Sequence, residues 1–414
     1  MRTALVFAVL SVVAALPARA EPPPPEATPS GDAAPEAAEQ SLGATSPPPV
    51  TPSPEAAAPP PPFVLGGYVE AFYQWNFNRP DNGITNYRAF DNRHDTFTLS
   101  NLALDAQWDV EDVVGRLALQ IGHTPSTYYA AEPVSPGGSG ANESSRELWK
   151  YVQQANVGYR FHVGVRSLLV QAGVFLSPIG PESMVVHENW HWSRSNLFFG
   201  LPFYHTGARA LFAVSSAWTL GLAAYNGWNS VVDNNGRKSL AVQATYAPSS
   251  SLTVGLLYFA GVERGRGAPE GERFRHLIDA HVTHALTPVV SLMGELNAGY
   301  EPTQLGASAW IASAGSLRLT LHPTLSLATR VDVFYERVPE ERGVRAAPLF
   351  YAGDWLSSAT ATLDYHPASH VSFRLELRHD HAKPALFYRG AVAENALPDA
   401  RSQDTLLLGV TAWF

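Results

Sequence analysis

From residue 63 almost to residue 414, apolar residues return at every second position, and the period never lengthens to the 3.6 of a helix. In "VLGGYVEAFYQWNF", Leu65, Val69, Ala71, Tyr73 and Trp75 share one face, while Glu70, Gln74 and Asn76 take the other. Leu102, Leu104, Ala106 and Trp108 stand against Asp105 and Gln107 in the same way, and Val113, Leu117, Leu119 and Ile121 against Arg116 and Gln120. Leu240, Val242, Ala244 and Tyr246 oppose Ser239, Gln243 and Thr245, and Leu325, Leu327, Val331 and Val333 oppose Ser326, Arg330 and Asp332. In "SLLVQAGVFL" the rule groups Leu168, Val170, Ala172 and Val174. A chain whose every segment has one greasy side and one wet side is expected to be all-β.

Sixteen such segments can be marked, at about 64–77, 95–108, 113–122, 148–161, 167–176, 206–215, 217–226, 237–246, 251–260, 274–285, 289–300, 309–321, 324–336, 355–365, 371–380 and 403–414. Seven connections are short, and the eight that alternate with them are mostly longer, including 78–94, 123–147, 177–205, 227–236, 261–273, 337–354 and 381–402. A soluble sandwich has no reason to sort its connections this way. A membrane barrel does, with short turns on one side and long loops on the other. Hydrocarbon offers no partner to a backbone N–H or C=O, so each strand must pair and the sheet must close. The pattern therefore predicts a transmembrane antiparallel up-and-down β-barrel of about sixteen strands, with fourteen or eighteen within the precision of such boundaries. Aromatic residues support it, because Trp and Tyr favour membrane interfaces. Trp108, Phe161, Trp218, Tyr246, Tyr365 and Phe414 fall near short-turn ends, and Trp75, Tyr258, Tyr300, Trp310, Tyr335 and Trp355 near long-loop ends. No apolar run beyond Pro62 approaches the roughly 20 residues of a membrane helix.

The first sixty residues fit export to that membrane. Met1-Arg2-Thr3, an apolar run from Ala4 to Leu16 and Ala18-Arg19-Ala20 form a signal-peptide pattern over 1–20. Residues 21–62 hold 15 prolines and no aromatic residue, a composition expected of a disordered Pro/Ala-rich periplasmic tether. The barrel domain is then 63–414. Taking Arg2 and Arg19 from the 28 Lys+Arg leaves 26 against 37 Asp+Glu, a net charge of −11, which argues against a nucleic-acid partner. The chain has no cysteine and so no disulfide framework.

One motif points elsewhere. His187-Glu188-Asn189-Trp190-His191 matches H-E-x-x-H, in which two imidazoles one helical turn apart grip zinc and the glutamate activates water. The chemistry requires a helix and a third ligand. Prolines at 178, 181 and 202 leave room for about two turns, which are marginal alone. Arg194 and Leu197 occupy the positions of the glycine and third histidine of one zinc-protease continuation, and no carboxylate follows Glu188 until Asp233. The expectation is a polar loop, with no metal, no cofactor and no enzymatic activity. Asp233-Asn234-Asn235-Gly236 could offer oxygens to Ca²⁺, but turn chemistry explains it more simply.

The phrases "FVLGGYVEAFYQWNFNRP", "FDNRHDTFTLSNLALD", "SNLFFGLPFYHTGARA" and "YNGWNSVVDNNGRKSLAVQATYAP" resemble the OmpL-like β-barrel porins of Gram-negative bacteria, across roughly 63–414. The ending "TLLLGVTAWF", with Leu406, Leu408, Val410, Ala412 and Phe414 on one face, is similar to the strand by which the barrel-assembly machinery recognises outer-membrane proteins. The resemblance implies an outer-membrane pore for small hydrophilic solutes and names no substrate.

If period two fixes the lipid-facing set, the opposite set faces the lumen: Glu70, Asp105, Arg116, Arg160, Arg209, Asp279, Glu295, Arg318, Arg330, Asp332, Asp364, Arg374, Glu376 and Arg378. Mixed charge on a common wall fits a field across a watery eyelet, or salt-bridged filling of a plugged barrel that serves as an envelope anchor. Sixteen strands ordinarily leave an aqueous channel. The third long loop, with Glu182, His187, Glu188, His191 and Arg194, is the candidate constriction, either folded inward or lying on the rim. Expected partners are outer-membrane lipid, small solutes and, on the pattern of sixteen-stranded porins, further copies of the chain. An outer-membrane hydrolase is the remaining alternative.

Overall fold

The computed structural model describes residues 62–133, 144–351, 353–394 and 396–414. The expected signal peptide (1–20) and the expected tether up to residue 61 lie outside the described residues. Among the described residues there are eighteen strands: β1 (Phe63–Asn76), β2 (Thr96–Val110), β3 (Val113–Ile121), β4 (Val152–Val163), β5 (Arg166–Leu176), β6 (Tyr204–Ala213), β7 (Trp218–Tyr225), β8 (Ser239–Ser249), β9 (Leu252–Val262), β10 (Phe274–Ala285), β11 (Val290–Thr303), β12 (Gly306–His322), β13 (Leu325–Arg337), β14 (Glu340–Glu341), β15 (Val344–Arg345), β16 (Asp354–Ala368), β17 (Val371–Ala382) and β18 (Ser402–Trp413). Strands β14 and β15 pair only with each other; the other sixteen close into one barrel, each antiparallel to its neighbours, with β1 sealed against β18 from Tyr68–Trp413 to Asn76–Thr405. Closure leaves no strand edge unpaired, which is what a hydrocarbon surround demands. Among the described residues no helix is long and apolar enough to cross a membrane.

Connections sort by end. Strands are joined by two residues at 111–112, 164–165, 250–251, 323–324 and 369–370, and by four at 214–217 and 286–289. Glu111 and Asp112 both take left-handed backbone (φ 51° and 67°), the twist a two-residue hairpin turn needs. The opposite end carries the connections 77–95, 122–151, 177–203, 226–238, 263–273, 338–353 and 383–401, and one exception, the two residues 304–305 between β11 and β12.

The alternation runs as the sequence predicts along most strands: Leu65 and Val69 are exposed beside a buried Glu70, and Leu240 and Val242 beside a buried Ser239. Bulges account for its slips. In β2, Glu70 pairs with Asn101 and Ala71 with Leu99, so Ser100 is an extra residue, and the outward set passes from Phe97 and Leu99 to Leu102 and Leu104. Two expectations are corrected. Val174 is buried with Phe203 and Tyr204, not outward; it follows Gly173, whose φ of 137° departs from strand geometry. Trp310 is 3% exposed and packs in the core, so it is no part of an interface belt.

That core is the feature period two hides. Near the long-connection end the inner face is apolar: Phe175, Tyr225, Phe259, Leu277, Trp310, Phe334 and Leu356 gather with Ile179, Leu197, Leu201, Tyr351, Leu386 and Phe387 from the connections. Elsewhere the inner face is largely polar, with small apolar patches at Phe72 and Leu407 and at Tyr68 and Ala103. Loops thus turn inward there because strand side chains offer them an apolar seat away from water.

Candidate functional site

Connection 177–203 leaves β5 and returns to β6, yet its middle rests on strands from the far side of the ring. Backbone taken into a barrel loses its water, so each N–H and C=O needs another partner. The inward charges supply them. Glu70 on β1 accepts from Val186 N (2.7 Å); Glu376 on β17 accepts from Trp192 N (2.7 Å) and Ser193 N (3.1 Å); Asp332 on β13 accepts from Asn196 N (3.1 Å). Guanidiniums take the carbonyls. Arg374 donates to Val186 O (2.9 Å), Asn189 O (2.7 Å) and His191 O (3.2 Å), while Arg330 donates to Ser193 O (2.8 Å) and Arg378 to Arg194 O and to Asn196 Oδ1 (3.0 Å).

The loop's own charges complete the frame. Glu182 accepts from Arg330 Nη1 (2.7 Å) and from Ser195 N (3.0 Å), and Arg194 donates to Ser183 O (3.0 Å), Trp192 O (2.8 Å) and Met184 O. Two of these guanidiniums are also paired with carboxylates on the strands, Arg374 with Asp364 (3.2 Å) and Arg378 with Asp380 (2.8 Å). Trp192 wedges against Phe72 (ring centroids 5.9 Å apart) and over Gly409, where a Cβ would lie 2.3 Å from the indole. Small size at 409 is therefore what lets the loop lie flat.

The H-E-x-x-H residues take part in this packing. Residues 186–188 form a single 3-10 turn, so the histidines do not share a helical face. His187 stacks on Trp413 (4.8 Å, 8° between planes), Glu188 bonds Ser183 Oγ, and His191 Nδ1 meets Thr362 Oγ1 at 2.8 Å. Burial, with the guanidiniums of Arg330, Arg374 and Arg378 nearby, holds His191 well below the usual histidine range, so it is neutral at pH 7. Among the described residues no group of His, Cys, Asp or Glu is placed to hold a metal. Asp233 turns its oxygens to Asn235 N (2.9 Å), Gly236 N (2.6 Å) and Lys238 Nζ, which is turn chemistry.

Most of the remaining inward charges lie apart from the loop. Arg116 bonds Asp105 (3.0 and 3.1 Å), and Arg160 bonds Asp109 (3.0 and 2.6 Å) at the short-turn end. Arg209 donates to Gln171 Oε1 (3.0 Å), stacks 4.2 Å over Phe175 and has no carboxylate partner among the described residues. Arg318 reaches Ser326 Oγ (3.3 Å); Asp364 holds Ser372 Oγ (2.6 Å), His366 (3.1 Å) and Arg374 (3.2 Å). Asp279 pairs with His281 (2.9 Å), and Glu295 abuts Gly180 of the loop, which sits at φ 77° where a Cβ would be 2.7 Å from the carboxylate. Phe414 continues β18 along β1 through reciprocal bonds with Gly67 (3.0 and 3.3 Å).

Sequence reasoning missed further carboxylates that hold loop backbone. Glu336 accepts from Leu349, Phe350 and Tyr351 N (2.6, 3.1 and 2.8 Å) and Glu132 from Val231 N and Tyr204 Oη (3.0 and 2.6 Å). For Glu336 the available signal was an inward parity at the last turn before a long loop; Glu132 lies within a loop and carried none.

A family model described as "Putative beta-barrel porin-2, OmpL-like" matches residues 62–414. No curated protein sequence matches the chain. Among solved structures the barrel is similar to an anion-selective porin from Comamonas acidovorans, with a TM-score of 0.53 at 12% identity, covering 85% of this chain and 99% of that one. It is also similar to OmpT, an outer membrane protein of Vibrio cholerae folded in vitro (TM-score 0.53, 7% identity, 85% and 97% covered), and to its trimer form (0.52, 8%, 85% and 99%). At these identities the likeness is one of fold.

Proposed function

Because the chain belongs to the OmpL-like β-barrel porin-2 family, we propose that it is an outer-membrane channel through which small hydrophilic solutes diffuse, narrowed by residues 182–196. The observation that carries this reading is one-sided pinning. The segment is hydrogen-bonded to β1, β13, β16 and β17, and no hydrogen bond or ion pair joins it to β3–β9 among the described residues. The wall of β3–β9, on which Arg209 and Gln243 are half-buried, then lines the free part of the bore.

That wall also sets selectivity in this reading. Strands β3–β9 contain no Asp or Glu. Arg116 and Arg160 are neutralised from β2, which leaves Arg209 as the inward charge of this wall with no carboxylate partner among the described residues. Fixed positive charge in a low-dielectric bore favours anions. Purified protein added to a planar bilayer should give stepwise conductance, with a reversal potential of anionic sign under a KCl gradient. Correctly folded protein that leaves the membrane sealed would overturn the channel.

A second reading is favoured by one observation: the apolar cluster that closes inward at the long-connection end. A barrel sealed there would serve as an envelope anchor, with residues 21–62 as a periplasmic tether, and the same recording separates the two. In either case the signal peptide 1–20 directs export, the outward apolar face meets lipid, Phe414 is read by the assembly machinery, and no catalytic role falls to His187, Glu188 or His191. Self-association, on the precedent of the OmpT trimer form, is tested by light scattering in detergent.

A further inference from the structure

We propose that a cavity among the long connections docks a neutral, hydroxylated ring solute such as a monosaccharide; this rests on the channel reading only in placing that end outside the cell. The cavity, about 270 Å³, forms where residues 84–92, the helix His123–Tyr128, Phe199 of the pinned loop and Phe350 meet. Its size suits one six-membered ring.

Three half-buried rings face it, Tyr87, Phe199 and Phe350. None is free to collapse inward. Tyr87 and Phe199 both pack on Tyr351 (5.4 and 6.0 Å), and Phe350 packs on Trp310 (5.0 Å) and Trp228 (5.9 Å). Tyr87 is also held at φ 53°, a left-handed conformation that bulky residues rarely adopt and that gathers at binding sites.

The polar lining is complementary in kind. Asn86 spends its amide nitrogen on Leu386 O (2.8 Å), and Asn92 its oxygen on His123 Nε2 (2.5 Å). One therefore keeps a carbonyl acceptor and the other an NH₂ donor; Thr127 also lines the cavity, its hydroxyl donating to His123 O (3.0 Å) and so able only to accept.

Charge is absent. The one cation in the lining, Arg88, is bonded to Asp91 and to Asp380 (3.0 Å). His123 is pushed down to about 4 by burial, with Arg93 adding to it, and is neutral at pH 7. An ionic solute would shed its hydration here and meet no counter-charge. A sugar would lay its C–H face on the rings and turn its hydroxyls to the amides.

The full chain in detergent micelles is titrated with glucose by calorimetry, with sodium gluconate as the charged match, and glucose is then added to single channels in a planar bilayer. Glucose is expected to bind and to modulate the current, and gluconate to do neither. Phe350→Ala should weaken glucose roughly fivefold, as loss of one aromatic contact implies, and Phe350→Tyr should restore it. Asn92→Leu, which leaves the rings in place, should weaken it as well. Equal response to glucose and gluconate, or unaltered glucose binding in folded Phe350→Ala and Asn92→Leu, overturns the proposal. A bilayer that stays sealed overturns the channel reading, while the calorimetry still decides the cavity.

Discussion

Replacing Arg374 by alanine removes the group that takes three of the loop's carbonyls. Its guanidinium donates to three carbonyls, Val186, Asn189 and His191 O, at 2.7 to 3.2 Å, and its side chain is only 2% exposed. A hydrogen bond from a charged donor contributes roughly 1.5–3 kcal/mol net, but water entering the space left by the side chain would satisfy part of that, so about 1 kcal/mol per bond is the fair figure. Three bonds give about 3 kcal/mol, a rise of roughly 100-fold in the ratio of released to pinned loop. Asp364 keeps Ser372 and His366 as partners, so little of the loss arises from a stranded carboxylate. The assay is single-channel recording of the two proteins side by side. The variant should visit a wider-conductance level more often, and Arg374→Lys should fall between, because an ammonium lacks the planar fork that reaches several acceptors at once. If folded Arg374→Ala shows the wild-type level and dwell times, the loop does not limit the current and the account of the pinning layer is wrong.

Gly409→Leu should push Trp192 off the wall and cost about 1–3 kcal/mol of overpacking, visible as a lower temperature at which the barrel loses its compact mobility in gel electrophoresis. Arg209→Gln should move the reversal potential toward the cation side in a KCl gradient, and Arg116→Gln, which frees Asp105 from its pair, should move it the same way. Acid should loosen the loop. His191 resists protonation when packed and accepts a proton freely when released, so its contribution is complete above a pH of about 6.5 and is lost as pH falls below it. Flicker in single-channel current should therefore increase between pH 7.5 and pH 4.5, and His191→Asn should flatten that dependence.

The barrel was legible because its constraint is written at every position. Period two, an even count and sorted connections all follow from pairing every peptide group away from water, and the sixteen segments coincide with the sixteen barrel strands to within a few residues. Local departures were not. An extra Ser100 in β2 shifts parity without any compositional mark, and Trp310 reads equally well as an interface residue until its pairing opposite Gly299 is known. The site was legible only as a set of inward positions. Parity says that Arg374 and Glu376 point inward; it cannot say whether they meet water or a peptide group, because backbone partners such as Val186 N–H leave no trace in residue identity.

Strands β1 and β18 meet along the seam where the cylinder closes, and the pinned segment lies across that seam, bonded to Glu70 on one side and resting on Gly409 on the other. Its seat therefore does not exist until the last residues of the chain have arrived. The segment is carried between β5 and β6 but held by β1, β13, β16 and β17, so its full set of partners is assembled only when the ring is closed. A ring left open at this seam would part Glu70 from Gly409 and leave the segment without its complete seat.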